Sequence, residues 1–346
     1  MGNNVNNSTG AVKGRGPAPL LEFEGGIHLC GTGLWFDATS PRDLSFVSHA
    51  HKDHFARHRS IIATEQTIRL CREREEMLDA LPVPYGQPFS MGELTIELYP
   101  AGHMLGSAQI LVQLPASRGG LRIGYTGDFN TAGSLTAGVA AQMRCDVLVM
   151  EATFGEPRYV FPSRAEIDRL IAGFIDRALS EDETPVLFAY TMGKAQELIK
   201  RLDERGCRVR AQRQIWEVCR IYQEYGVTFS NLHKLTDGTR RGEVVVAQWS
   251  PFGPGRERLL SSLRSPHTAV VTGWAIDQST KFRYGVDEAF PLSDHADFNA
   301  LTDYARGSGA GKIYVIHGSA ELFSAHLRSI GLDAEPLVPP SQLSLF

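Results

Sequence analysis

Four side chains able to bind a metal ion stand within six positions in Ser48-His49-Ala50-His51-Lys52-Asp53-His54. The segment follows the apolar run Leu44-Ser45-Phe46-Val47, so it reads as the exit from a strand. Side chains two apart on an extended chain share a face, which lets His49 and His51 converge on one cation. A turn after His51 aims Asp53 and His54 at a neighbouring position. Four ligands are more than one small cation takes from a single segment, so a pair of divalent cations is expected. Imidazole with carboxylate suits zinc first, and manganese, iron or cobalt can substitute.

A related arrangement, a strand tipped by an acid or a histidine and in most copies beside glycine, recurs along the chain. Leu94 to Tyr99 alternates like a strand and runs into Pro100-Ala101-Gly102-His103, which offers His103 as a third ligand. Leu121 to Thr126 leads to Gly127-Asp128, and a carboxylate there can bridge two cations. Val147-Leu148-Val149-Met150 ends in Glu151, and Ile313-Tyr314-Val315-Ile316 ends in His317-Gly318, which supplies the ligand the second cation lacks. Asp37 closes the run Leu34-Trp35-Phe36, where it can orient a ligating imidazole or stand as an exposed strand-end acid.

The elements that carry these residues differ along the chain. Residues 20–47 read as short strands with tight turns, and residues 64–81 have helical spacing with a solvated Arg/Glu face. From Glu156 the texture becomes alternating helix and strand. Ser163 and Glu166 form a capping box for a helix to Leu179, and a buried strand Pro185 to Tyr190 runs into Thr191-Met192-Gly193-Lys194 and a further helix. Gly193 and Lys194 can present N–H groups and a charge to phosphate, and ordinary βα packing fits them equally. Trp249, Phe252 and Trp274 near later strand ends are read as core aromatics before stacking platforms for bases.

The chain of 346 residues can bury a sizeable core. Its formal net charge of −4 argues against a surface coated in basic residues for nucleic acid, although residues 156–290 carry 20 Lys+Arg against 18 Asp+Glu. No apolar run reaches the eighteen or so residues of a membrane span. Residues 1–19 read as a disordered leader, and five scattered cysteines read as reduced thiols of a cytoplasmic protein.

In order, Asp37, Ser-His-Ala-His-Lys-Asp-His, Ala-Gly-His-Met-Leu-Gly-Ser, Tyr-Thr-Gly-Asp-Phe, Met-Glu-Ala-Thr-Phe-Gly, Ser-Asp-His-Ala-Asp-Phe and Val-Ile-His-Gly together resemble the metallo-β-lactamase superfamily, and within it the β-CASP nucleases. The resemblance implies an α/β fold: an αββα sandwich in two parts, 20–155 and 291–336, with a β-CASP α/β domain inserted at 156–290 and a tail at 337–346. It further implies that His49, His51 and His103 bind the first cation, that Asp53, His54 and His317 bind the second, and that Asp128 bridges. Glu151 and His295 match positions that set this nuclease group apart, and His295, held by Glu151, is read as the general acid with Asp128 and Asp53 in the reacting centre.

The ending Gln342-Leu343-Ser344-Leu345-Phe346 looks like the pentapeptide with which bacterial replication and repair proteins bind the sliding clamp. Gln342 would bond the rim of the clamp pocket while Leu343, Leu345 and Phe346 supply its apolar contacts. Core and tail together are similar to ligase-associated DNA exonucleases. The presence of His317 is instead a feature of RNA-processing members, so a ribonuclease of the same fold is the alternative.

Overall fold

The computed structural model describes residues 19–73, 75, 79–236, 239–249 and 254–337. Six strands in chain order make the first sheet: β1 (Leu21–Phe23), β2 (Ile27–Leu29), β3 (Trp35–Phe36), β4 (Leu44–Phe46), β5 (Ser60–Ala63) and β6 (Ala80–Pro82), with α1 (Glu65–Cys71) between the last two. The helix expected over 64–81 is therefore only two turns long. Arg/Glu spacing is helical throughout that stretch, but Pro82 and Pro84 bar a helix at its end, and Ala80–Pro82 instead pairs in parallel with β5 at the sheet edge, where a missing N–H is tolerated.

The second sheet begins with β7 (Phe89–Met91), β8 (Leu94–Pro100), β9 (Ala108–Gln113), β10 (Arg122–Tyr125) and β11 (Val147–Glu151). The chain then leaves for a third sheet. Helix α2 (Arg164–Ser180) starts where Ser163 Oγ accepts from the Glu166 N–H, as its capping residues require. β12 (Thr184–Ala189), α3 (Lys194–Glu204), β13 (Arg208–Ala211), α4 (Arg213–Glu224), β14 (Leu232–Lys234), β15 (Glu243–Gln248), α5 (Pro254–Ser261), β16 (Pro266–Val271), α6 (Thr280–Tyr284) and β17 (Glu288–Phe290) follow. Their strands pair in parallel throughout, and every residue of β12 is buried, as expected of a central parallel strand covered on both faces. The chain returns through α7 (Phe298–Ser308), adds β18 (Lys312–Ile316) beside β11, crosses α8 (Ala320–Ser329) and ends its sheet with β19 (Ala334–Pro336).

The first two sheets pack face to face on Leu29, Phe36, Phe46, Ile96, Ile110 and Tyr125. Helices α7 and α8 cover the outside of the second sheet through Leu301, Tyr304, Phe323 and Leu327. The outside of the first sheet shares one continuous core with the third, running from Ile61, Ile68 and Met104 to Phe174, Leu198 and Tyr222. This is the αββα sandwich with an inserted α/β unit. No helix among the described residues is long and apolar enough to cross a membrane.

Strand direction brings the site together. β10, β11 and β18 run parallel, and β8 runs the same way after two antiparallel steps. Their carboxyl ends therefore share one edge, where loops of a parallel sheet normally place ligand-binding groups. Asp128 follows β10, Glu151 ends β11 opposite Ile316, His317 follows β18 and His103 follows β8.

Candidate metal centre

The 49–54 segment bends into a 3-10 turn at Lys52–His54, as the chain must if Asp53 and His54 are to point away from His49 and His51. His49 Nε2 lies 3.0 Å from His51 Nδ1, and His51 Nδ1 lies 3.2 Å from His103 Nε2. Asp128 Oδ2 is 3.6 Å from His49 Nε2, 4.0 Å from His103 Nε2 and 3.3 Å from His54 Nε2. Tetrahedral ligands bonded at about 2.0–2.1 Å stand roughly 3.4 Å apart. The three nitrogens and the carboxylate therefore have the spacing of one tetrahedral cation site. On the far side of Asp128, His54 Nε2 is 3.9 Å from Asp53 Oδ2, whose side chain is largely exposed. His317 is exposed and its ring centre lies 5.5 Å from that of His54, so the second position is the more open one.

Four of the five imidazoles, those of His49, His51, His54 and His103, are fixed by their other nitrogen. Carbonyl and carboxylate oxygens only accept, so the ring nitrogen that faces one must carry the proton. His51 Nε2–H donates to the Met192 carbonyl at 3.2 Å and His103 Nδ1–H to the Asp294 carbonyl at 2.9 Å. His54 Nδ1–H donates to Asp37 Oδ2 at 2.8 Å. Ser48 Oγ–H donates to the same Asp37 oxygen at 2.5 Å, which turns the Ser48 oxygen toward His49 Nδ1–H at 2.9 Å. Asp37 also accepts from the Ser48 N–H and the Tyr125 hydroxyl, both at 2.7 Å. Four inward nitrogens are thus left with lone pairs on the same small volume, the tautomers that cation binding requires. Asp37 performs this from a left-handed backbone (φ 45°), as does His317 (φ 58°), and such strain concentrates at functional sites.

Gly127 shows why glycine precedes Asp128. Its φ is 53°, and a Cβ there would lie 2.5 Å from the Ser48 Cβ, so any larger residue would push Asp128 away from the His segment.

Burial, then the neighbouring His54 and His51 charges, holds His49 well below the ordinary histidine range, and His51 falls to about 4 for the same leading reason. His103 is also lowered, first by burial and then by His295. These three stay neutral and able to coordinate. His54 goes the other way. Burial would lower it, but the Asp128 and Asp37 carboxylates outweigh burial and raise it well above its usual value; the field that favours a proton there favours any cation. Burial pushes the Asp128 carboxyl up, and the His54 and His295 charges overcome this to hold it well below the carboxylate range.

His295 stands beside this cluster with its ring centre 4.6 Å from that of His103. Its Nδ1 is 2.9 and 3.1 Å from the two Glu151 oxygens. Burial pulls its pKa down, and the Glu151 and Asp128 carboxylates more than offset that to bring it to about 9. His51, Asp53, His54, Asp128, His295 and His317 border a cavity of about 460 Å³ between the sandwich and the inserted unit, to which the latter gives Tyr190, Lys194, Gln248 and Trp274. Trp274 also packs on Phe154 and Tyr159 with ring centres 4.7 and 5.6 Å away, so it is at once a wall of the cavity and part of an aromatic cluster. Trp249 packs on Tyr284 away from it, and Phe252 lies outside the described residues. Gly193 and Lys194 stand at the start of α3 as expected, but the Lys194 ammonium is paired with Asp294 at 2.5 Å. Gln342, Leu343, Leu345 and Phe346 lie outside the described residues, as does most of the 1–19 leader.

Sequence reasoning did not single out Ser48, Tyr125, Met192 or Asp294. The first, second and fourth lie inside the motif blocks and could have been found as polar neighbours of the ligands. Met192 acts through a backbone carbonyl, which leaves no trace in residue type.

No family model matches the chain. Among curated proteins, a "Probable DNA ligase" of Opitutus terrae is 37% identical over 330 residues, which cover 94% of this chain and 32% of that protein. "Endoribonuclease ysh-1" of Neurospora crassa is 24% identical over 275 residues, covering 66% of this chain and 30% of its own length. The chain thus spans about a third of the length of these relatives. An "RNase J-like protein" of Methanocaldococcus jannaschii is 28% identical over 45% of this chain and 42% of that protein. A solved structure, a protein of unknown function from Enterococcus faecalis V583, shares the fold with a TM-score of 0.58 at 11% identity, over 86% of this chain and 80% of that one. Sandwich, edge-loaded ligands and inserted α/β unit define a metallo-β-lactamase-type protein. The chain belongs to the β-CASP group of that superfamily.

Proposed function

We propose that the chain is a metal-dependent nuclease that hydrolyses phosphodiester bonds in DNA, acting as an exonuclease in repair alongside a DNA ligase. The observation that carries the DNA reading is the similarity of 94% of this chain to about a third of a protein called a DNA ligase, since activities joined in one polypeptide usually meet the same substrate. The donor set supports the chemistry. His49, His51, His103 and Asp128 would hold one divalent cation, and Asp53, His54, His317 and Asp128 the other, with zinc first and manganese a substitute. Bound there, the pair supplies Lewis acidity for attack on phosphate.

The chain's own residues do the rest. Asp37 and Ser48 orient His54 and His49. Glu151 accepts from His295 Nδ1–H and holds the imidazolium charged, so that Nε2–H is the group free to donate a proton to the departing sugar oxygen. Inserted at 156–290, the third-sheet unit forms the opposite wall of the cavity and reduces the access of water. A protein with these substrates and free cysteines at five positions fits the cytoplasm.

The reading is tested with purified protein, end-labelled single-stranded DNA and RNA of matched sequence, and zinc or manganese added or withheld. DNA should be degraded faster than RNA, and only with metal. Faster cutting of RNA would favour the second reading, a 3′-end-processing type of ribonuclease, which draws support from His317 and from relatives called endoribonuclease and RNase J-like. No cutting of either polymer with metal present would sink the nuclease reading itself.

The tail is proposed to bind the bacterial sliding clamp. Removing residues 342–346 should abolish binding to immobilised clamp while leaving cleavage of short oligonucleotides at the wild-type rate. Equal clamp binding by the shortened chain would end this part of the proposal.

A further inference from the structure

The turn that leaves β12 reaches across the cavity and makes two contacts on which the metal cluster depends. The Met192 carbonyl accepts from His51 Nε2–H across 141 positions of sequence. Two residues on, Lys194 Nζ donates to Asp294 Oδ1 at 2.5 Å, and the backbone carbonyl of that same Asp294 accepts from His103 Nδ1–H at 2.9 Å. Of the three histidines around the first position, only His49 is oriented by its own segment, through Ser48. The other two take their ring orientation from the junction between the inserted unit and the sandwich.

Packing makes this junction specific. The Lys194 and Asp294 side chains are only 3% and 13% exposed, so each is the other's nearest buried counter-charge, with His295 Nε2 farther off at 3.8 Å from the same Asp294 oxygen. Between them and Met192, Gly193 adopts φ 80°, and a Cβ on it would lie 3.2 Å from the Met104 Cβ and 3.5 Å from Asp294 Oδ2. The turn therefore lies directly against the loop that carries His103. Tyr222 of α4 adds a hydrogen bond to the Leu105 N–H of that loop at 3.3 Å, and Glu197 of α3 grips the Ser134 hydroxyl and the Leu135 N–H at 2.7 and 2.9 Å. An ammonium committed in this way serves the Asp294 carboxylate before any phosphate.

We propose that Lys194 is a positioning residue for the first cation: by anchoring Asp294 it fixes the carbonyl that aims His103, and with the Met192 carbonyl it makes cation affinity depend on docking of the inserted unit. This rests on the reading of the cluster as a two-cation site. Linkage makes the dependence mutual, so a bound cation also tightens that docking.

The test uses the full chain as wild type, Lys194→Met, Lys194→Arg, Asp294→Asn and the Lys194→Met/Asp294→Asn double variant. Cobalt(II) serves as a spectroscopic probe, and zinc affinity is read by competition with a chelator. Circular dichroism checks each fold. Wild type should bind two cations. Lys194→Met should bind one of them about 10–100-fold more weakly, the usual cost of losing a group that orients a metal ligand, with a changed cobalt absorption spectrum and the other cation unaffected. Lys194→Arg should restore most of the affinity. Asp294→Asn keeps the carbonyl but loses its anchor and should match Lys194→Met, and the double variant should be no weaker than either single one, because all three remove the same interaction. Should Lys194→Met not fold, the comparison of Asp294→Asn with Lys194→Arg carries the same test. Wild-type affinity and an unchanged cobalt spectrum in Lys194→Met or Asp294→Asn, whatever happens to cleavage, overturn the positioning role alone. A wild-type chain that binds no cation overturns the two-cation reading beneath it as well.

Discussion

Asp128→Ala is expected to slow DNA cleavage on the order of 10⁴-fold, about 5.4 kcal/mol of barrier at 1.36 kcal/mol per decade. The reason is geometric. Among the described residues, Asp128 Oδ2 is the carboxylate oxygen that lies within 4.0 Å of His49 and His103 on one side and within 3.3 Å of His54 on the other. Removing it leaves three neutral imidazoles at the proposed first position and His54, His317 and one exposed carboxylate at the proposed second, so on the two-cation reading both positions lose a ligand and a shared negative charge. Metal content measured on the purified variant should fall below two ions per chain. Wild-type metal content with cleavage within tenfold of wild type would show that the two positions do not share this carboxylate.

His295→Ala should cost about 10²–10⁴-fold in turnover on natural strands, the range for removing a general acid, with metal content unchanged. The carboxylate of Glu151 is buried against His295 Nδ1 and also accepts from the Phe129 N–H at 2.9 Å, so it is fixed by the backbone beside Asp128 and cannot swing to replace the imidazole. A nitrophenyl ester of a nucleotide separates the acid from a structural group, because nitrophenolate departs without a proton. The variant should cleave that ester at close to the wild-type rate. Equal losses on both substrates would remove His295 from proton donation.

How much of this was legible follows from where the information resides. The clustering of the four candidate ligands of residues 49–54 was readable because a turn in one short segment sets their directions. Asp128 and His317 were readable as strand tips beside glycine and Glu151 as a strand tip without one, and parallel strands put such tips on one edge. Asp37 was readable only as one of two options, because the deciding facts are the convergence of Ser48, His54 and Tyr125 on its oxygens and its left-handed backbone. The shortened α1 was missed because charge spacing persists past Cys71, while the prolines that stop the helix belong to a strand formed by pairing with β5. The continuity of one core between the first and third sheets was not legible at all. It depends on which faces meet, and periodicity within a segment reports only that a face is apolar.

Strand β18 has a consequence for synthesis. It lies inside its sheet, between β11 and β19, yet it is made only after the whole inserted unit. A nascent chain emerging amino end first carries the His-rich segment more than two hundred and fifty positions before His317 reaches it. On a ribosome the carboxyl-end edge of the second sheet therefore lacks His317 until the whole inserted unit has been made, and the cluster at that edge is assembled in two stages.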